Sequence, residues 1–202
     1  MRCMRMLPAL VIATAALGGP AAAQEHAGHH DAPAPQTGIR AELIRDVEML
    51  EEKYVALAEA MAGKYDYRPA EGVRSAGEVF MHVAGANFLL PAMVGVSPPE
   101  SMKAGSMEEM MATMRTLEQM TDEAEMRKEL AHAFMHARHA IAQVPDGELD
   151  EMVQVFGSPA SKRAALTMLV THMHEHLGQS IAYARGAGVV PPWSAGSGAG
   201  GN

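Results

Sequence analysis

Hydrophobic residues recur at intervals of three and four along most of the chain, which is the period of an α-helix. In the first such run the apolar positions alternate with a charged face, and they are Leu43, Val47, Leu50, Tyr54, Leu57 and Met61. The pattern predicts four long helices, over residues 39–61, 75–93, 122–144 and 158–186. It also predicts a short methionine-rich helix over residues 106–120, between the second and third long helices. We therefore expect an all-α fold: a four-helix bundle with an extra short helix or long crossover between the second and third long helices.

Local signals place the ends of these helices. Ser75 and Ser106 are each followed three residues later by glutamate, which is the pattern of a capping box. Pro159 occupies the position that proline favours in a first helical turn, so the last helix is predicted to begin at residue 158. Weak alternation over residues 149–156 predicts a short extended piece before it.

The first 23 residues have the features of a secretory signal peptide. Arg2 and Arg5 precede an apolar run over residues 7–17, and alanines at 21–23 supply the small residues of a cleavage site. We expect cleavage after Ala23 and a periplasmic or secreted protein. No later segment has the roughly 18 consecutive apolar residues of a membrane helix, so no stable membrane insertion is expected after cleavage.

Composition divides the remaining chain into three parts. Residues 24–37 are rich in Ala, Pro and His and are predicted to be a disordered linker, and residues 194–202 form a Gly/Ser tail. The helical pattern fills residues 38–193, which is the length of one domain.

Charge and cysteine content exclude several functions. The chain has 16 Lys+Arg and 24 Asp+Glu, a net charge of −8, and loss of Arg2 and Arg5 would leave 14 basic residues and a charge of −10. An acidic chain without basic runs argues against nucleic acid as a partner. The single cysteine, Cys3, lies in the predicted signal peptide. A mature protein without thiols has no disulfide, and any metal ion must be bound by His, Asp, Glu, Met or water.

Three histidines are candidates for a metal centre. His172 and His176 are four residues apart, so on a helix they lie on one face a turn apart and are able to bind one ion. His82, on the apolar face of the second predicted helix, is the candidate third ligand, and Gly85 leaves room beside it for another helix or a ligand. Spacing alone leaves a second interpretation open, in which the pair belongs to an exposed polar strip and His82 is a hydrogen-bonded core residue.

Other histidines and the methionines offer competing interpretations. Three histidines of the fourth predicted helix share a face opposite its core stripe, which favours a solvated face: His132, His136 and His139. Three more in the linker indicate an incidental or weak metal-binding tail: His26, His29 and His30. The 18 methionines suggest Cu(I) as an alternative metal, although their helical spacing favours core packing. The chain has no His-Glu-x-x-His, phosphate-binding loop or Gly-x-Ser-x-Gly motif, so no catalytic residue is assigned.

Four segments together resemble the DinB-like family of bacterial metal-dependent proteins: residues 67–79, 82–87, 171–179 and 183–185. The resemblance extends over residues 39–193. It implies a four-helix bundle with one divalent ion, often Zn²⁺ or Ni²⁺, on a histidine of the second helix and a His-x3-His pair of the last. Those family ligands match His82, His172 and His176 here.

The resemblance also carries functional expectations. Characterised relatives include thiol-dependent S-transferases and a thiol-dependent isomerase, so a metal-dependent transferase or hydrolase acting on a small molecule is expected. The alternatives are a non-catalytic metal-binding or stress-associated protein and a scaffold whose histidines bind nothing. Gln179 and Glu175 are candidates to support the ligands, and Tyr65 and Tyr67 to line a pocket. Bundles of this family often dimerise, so a homodimer is a further expectation.

Overall fold

A computed structural model describes residues 35–194, and five α-helices contain most of these residues. They are α1 (Gly38–Ala60), α2 (Ala76–Met93), α3 (Met107–Glu118), α4 (Glu123–Gln143) and α5 (Lys162–Gly186). A two-stranded antiparallel hairpin, β1 (Met152–Val155) and β2 (Ser158–Ser161), lies between α4 and α5. The predicted all-α class is confirmed.

The four long helices pack as two pairs, with α1 and α2 against α4 and α5. Each of α1 and α2 lies against both α4 and α5, and the short α3 packs on α2. Four aromatic side chains are fully buried between these helices: Tyr54, Phe80, Phe88 and Phe134. The Tyr54 hydroxyl donates a hydrogen bond of 2.8 Å to the Met173 carbonyl, which ties α1 to the part of α5 that carries the candidate ligands.

The boundaries of the first four helices follow the sequence signals closely. All six apolar positions predicted for the first helix are buried. Ser75 and Glu78 form a complete capping box at the start of α2, because each side chain accepts a hydrogen bond from the backbone N–H of the other residue. Ser106 accepts from the Glu109 N–H at the start of α3, and Asp122 caps α4 in a similar way. The Ser75–Glu78 capping box fixes the residue at which α2 begins, and therefore the position of His82 along the helix axis.

The start of the last helix was predicted wrongly. Residues 158–161 form β2 instead of the first helical turn, and Pro159 lies opposite Gln154 in the hairpin. Phe156 and Gly157 both have positive φ angles, 50° and 81°, and make the tight turn that reverses the chain. Ser161 then caps α5 by accepting a hydrogen bond from the Ala164 N–H. The short extended piece predicted near residues 149–156 is present as β1.

The two ends of the chain fall largely outside the described residues. The predicted signal peptide, the linker up to residue 34 and the tail from residue 195 are among them. Within residues 35–194, no helix has both the length and the apolar character required to cross a membrane. The final short turn, Pro192–Ser194, contacts α1, where the Lys53 ammonium lies 5.9 Å from the centre of the Trp193 ring.

Candidate metal centre

Helices α2 and α5 pack side by side and bring the three candidate histidines together. His172 and His176 lie one turn apart on α5, with ring centres 4.4 Å apart. His82 reaches them from α2, and its ring centre is 5.2 Å from that of His172 and 4.8 Å from that of His176. The three rings therefore form a cluster that no single helix provides.

The nitrogen atoms of this cluster have separations suited to one metal ion. One ligand nitrogen from each of the three residues lies within 4.8 Å of the others. The Nε2 atoms of His82 and His172 are 3.3 Å apart. Two imidazole nitrogens that bind the same tetrahedral ion at about 2.0–2.1 Å are about 3.4 Å from each other. The three histidines present could therefore hold one divalent ion.

Hydrogen bonds orient two of the three rings. The Nδ1 atom of His82 is 2.9 Å from a carboxylate oxygen of Glu118, and the Nδ1 atom of His176 is 2.7 Å from the side-chain oxygen of Gln179. Because both partners are acceptors, each Nδ1 carries a proton and donates it to the facing oxygen. Gln179 in turn donates to the Tyr183 hydroxyl at 3.0 Å. The predicted support of the site by Gln179 is thus present as a direct contact with His176.

The ring of His172 has no hydrogen bond on its Nδ1 atom that would orient it in the described structure. The Nδ1 atom of His172 is buried and has no hydrogen-bond partner among the described residues. Its Nε2 atom lies 3.3 Å from the unprotonated Nε2 of His82. In the metal-free protein, the proton of the His172 ring is therefore on Nε2 and points toward His82. If the ring of His172 bound an ion through Nε2, its proton would have to be on Nδ1.

The surroundings favour the neutral form that a metal ligand requires. Burial lowers the pKa of His172 to about 4, and the neighbouring His176 and His82 and the Arg74 guanidinium add to this effect. Burial also lowers the pKa of His82, although the hydrogen bond to Glu118 acts in the opposite direction. Both imidazoles are therefore uncharged at neutral pH.

Comparison with known proteins assigns the family. The family model of the DinB superfamily matches residues 46–180. This range is more than half of the chain and includes all three clustered histidines. The chain belongs to the DinB superfamily. Among solved structures, a DinB-like protein from Bacillus subtilis has a similar fold, with a TM-score of 0.53 and 22% sequence identity over 73% of this chain and 92% of that one. No curated protein matches the chain significantly.

Two polar residues of α5, His174 and Glu175, point away from the three-histidine cluster. The Nε2 atom of His174 lies 3.0 Å from both carboxylate oxygens of Asp46 on α1. Glu175 is exposed, and it makes no hydrogen bond to the three imidazoles. Of the two residues predicted to support the ligands, only Gln179 does so.

The two tyrosines of the loop before α2 have different positions. Tyr65 is a core residue, since its hydroxyl donates to the Ala58 carbonyl at 3.0 Å and its ring packs edge-on against Phe80. Tyr67 is half-buried and packs edge-on against Tyr183, the residue that accepts from Gln179. Tyr67 therefore lies near the site through its contact with Tyr183, whereas Tyr65 packs in the interior and also lines a cavity next to Glu118.

The three histidines on α4 are not the solvated face that the sequence favoured. All three are partly buried, and the rings of His132 and His136 lie 5.3 and 5.5 Å from the buried ring of Phe88. The cause is the packing of α2 across α4, which covers this side of the helix. In the described part of the chain these residues do not form a second metal-binding group. The linker histidines His26, His29 and His30 lie outside the described residues.

Sequence reasoning missed Glu118 and Arg74. Glu118 is the last residue of α3, and Arg74 precedes the capping serine of α2. The two side chains form a bidentate ion pair, with nitrogen–oxygen distances of 2.9 and 3.1 Å. Glu118 also lines a cavity of about 450 Å³ together with Tyr65 and Arg68. A single glutamate at a helix end has no sequence signature that would connect it with His82.

Proposed function

We propose that this DinB protein binds one divalent metal ion through the Nε2 atoms of His82, His172 and His176. The observation that carries the proposal is the convergence of three ligand nitrogens within 4.8 Å in a partly buried site. Orientation of His82 and His176 by Glu118 and Gln179, and the lowered pKa values of His82 and His172, support the same conclusion.

Zinc or nickel is the metal that suits this ligand set. Neutral imidazole nitrogens bind Zn²⁺, Ni²⁺ and Cu²⁺ well, whereas Mg²⁺ and Ca²⁺ prefer oxygen ligands. All three candidate ligands are imidazole nitrogens, whereas Cu(I) is favoured by methionine sulfur. Three nitrogen ligands leave a coordination position for water or substrate, as in catalytic sites.

We further propose that the protein is a metal-dependent transferase or hydrolase with a small-molecule substrate. A divalent ion with an open position acts as a Lewis acid and lowers the pKa of a bound water or thiol, which yields a nucleophile at neutral pH. The chain's own contribution is to hold three imidazole ligands close together in a partly buried site. The thiol-dependent activities that the family resemblance implies fit this chemistry.

The N-terminal pattern supports export as part of the proposal. The basic, apolar and small-residue segments of residues 1–23 are those of a signal peptide, which favours the periplasm or secretion. A homodimer is the proposed assembly, since DinB-like bundles often dimerise.

Metal analysis of the purified protein tests the site. The protein is prepared without a His-tag and without residues 24–37, so that no tail histidine contributes, and metal content is measured by mass spectrometry. We expect about one zinc or nickel ion per chain, lost in a His172→Ala variant and kept in His174→Ala, whose imidazole contacts Asp46 instead. No ion in the unsubstituted protein after exposure to zinc would overturn the proposal.

A non-catalytic metal-binding protein is the second candidate function. The linker carries three histidines, and several methionines are exposed, among them Met135 and Met152. A buffering protein would bind several weaker ions per chain, and it would accelerate neither thiol transfer nor hydrolysis. Titration of the full mature chain with zinc separates the two functions: one tight ion supports the enzyme, and several weak ions support the buffer.

A further inference from the structure

The hydrogen bond between His82 and Glu118 joins α2 to the end of α3. A carboxylate oxygen of Glu118 lies 2.9 Å from the Nδ1 atom of His82, and both side chains are only 18% exposed. A carboxylate accepts and does not donate, so the contact requires the proton of His82 to be on Nδ1. The lone pair on Nε2 is thereby directed toward His172, whose own Nε2 lies 3.3 Å away.

Arg74 fixes the carboxylate that makes this contact. Its Nε atom donates to one oxygen of Glu118 at 2.9 Å, and its Nη2 atom donates to the other at 3.1 Å. The oxygen bonded to Nη2 is also the one that faces His82. Because the two parallel hydrogen bonds define the plane of the carboxylate, Glu118 has little freedom to turn away from the imidazole.

Close packing of α3 on α2 brings Glu118 to this position. A Cβ atom at Gly85 would lie 3.1 Å from two side-chain carbons of Met114, so the absence of a side chain at Gly85 lets α3 approach. Met114 and Leu117 are buried in this contact region, one turn before and directly before Glu118. The helix that carries the carboxylate is therefore seated by apolar contacts next to the imidazole.

We infer that Glu118 is a positioning residue of the metal centre, which holds His82 in the Nδ1-protonated tautomer with Nε2 directed at the ion, and that Arg74 holds Glu118. This inference rests on the proposed metal site. A carboxylate behind a ligand histidine also makes the imidazole a better electron donor, and loss of such a partner typically weakens metal binding roughly 10–100-fold. The third helix, which bears no ligand, thus contributes to metal affinity.

Zinc affinities of matched variants test the inference. They are measured on the full mature chain by competition with a chromogenic chelator, for the unsubstituted protein, Glu118→Ala, Glu118→Gln and Glu108→Ala. Glu108 is an exposed glutamate of the same helix, so its replacement removes the same charge without touching His82. We expect affinity to fall roughly 10–100-fold in Glu118→Ala, to fall less in Glu118→Gln, which keeps an acceptor oxygen, and to be unchanged in Glu108→Ala.

The His82 tautomer supplies a second measurement that a purely structural role of Glu118 would not change. In metal-free protein, nitrogen-15 NMR of the imidazoles should show His82 protonated on Nδ1, and Glu118→Ala, which removes the acceptor, should shift its proton toward Nε2. Equal zinc affinity in all four proteins, or His82 protonated on Nε2 in the unsubstituted protein, would overturn the inference and leave the three-histidine site intact. Failure of the unsubstituted protein to bind zinc at all would overturn the proposed function itself, and the inference with it.

Discussion

His136 is a histidine outside the cluster whose environment makes the stability of the protein depend on pH. Burial lowers its pKa to about 4, and the neighbouring His139 and His132 add to the effect. Its Nε2 atom is buried without a hydrogen-bond partner in the described structure. An unfolded chain protonates this imidazole near pH 6.5, whereas the folded chain does so only near pH 4.

We predict that the free energy of unfolding falls as the pH falls from about 6.5 toward 4, because the unfolded state binds a proton that the folded state does not. Allowing for the half-exposed ring, the contribution of His136 between pH 7 and pH 5 is about 1 kcal/mol. Urea unfolding of metal-free protein at the two pH values measures it. Between pH 7 and pH 5, the free energy of unfolding should fall by about 1 kcal/mol less in a His136→Gln variant than in the unsubstituted protein. Identical falls in the two proteins would contradict the prediction.

At the level of single residues, sequence reasoning found the histidines but not the groups that hold them. The four-residue interval between His172 and His176 is a direct consequence of helical geometry, and Gln179 lies one turn further along the same face. The contacts of Glu118 and His136 depend on how α3 and α4 pack against α2, which no local spacing encodes. The prediction of a solvated face for the α4 histidines was wrong for that reason.

The β-hairpin is the element in which a single residue conflicts with its backbone. Phe156 has a φ angle of 50° in the turn and is 60% exposed, so its aromatic ring gains little from packing. Two-residue turns of this kind favour Asn-Gly, because asparagine tolerates the left-handed conformation much better than phenylalanine does.

We predict that Phe156→Asn raises the free energy of unfolding by about 1 kcal/mol, the order of the penalty for a left-handed residue. Chemical denaturation monitored by circular dichroism measures the change. Phe156→Ala is the matched control, since it removes the ring but leaves an unfavourable left-handed residue. If both variants have the same stability, the turn is not strained in the way that the backbone angle indicates.

At the level of elements, helices with side-chain caps were predictable and the hairpin only in part. Ser75, Ser106 and Asp122 each mark the start of a helix by a hydrogen bond that is local in sequence. Pro159 is compatible both with a first helical turn and with a short strand, and the choice depends on the turn at Phe156 and Gly157. The room left by Gly85 was predicted, and the side chain that uses it is Met114 of α3.

For the whole molecule, the candidate site links helices that are far apart in the sequence. His82 and His172 are 90 residues apart, and Glu118 reaches His82 from a third helix. A metal ion that binds only the folded arrangement stabilises it by mass action. The stability of the protein should therefore respond to metal through these few side chains.

We predict that zinc at 100 times its dissociation constant raises the free energy of unfolding by about 2.7 kcal/mol, and that a chelator removes the gain. Thermal unfolding with and without zinc measures the effect. His172→Ala should show no such gain, whereas His174→Ala should behave like the unsubstituted protein. An equal gain in His172→Ala would place the stabilising ion elsewhere on the chain.

The all-α class and the family were predictable from the sequence, because helical periodicity and a few short segments carry them. The order of the four long helices and the short α3 between α2 and α4 also follows the hydrophobic pattern. The pairing of α2 with α5, which completes the three-histidine cluster, depends on tertiary packing. The resemblance to DinB-like proteins supplied that pairing where periodicity did not.

Anomalous diffraction at the zinc absorption edge from crystals of the zinc-loaded protein tests the central claim most directly. The predicted result is one strong peak at about 2.0–2.1 Å from the Nε2 atoms of His82, His172 and His176. A peak at another position, such as beside His132 and His136, or no peak after loading with one equivalent of zinc, would contradict the account.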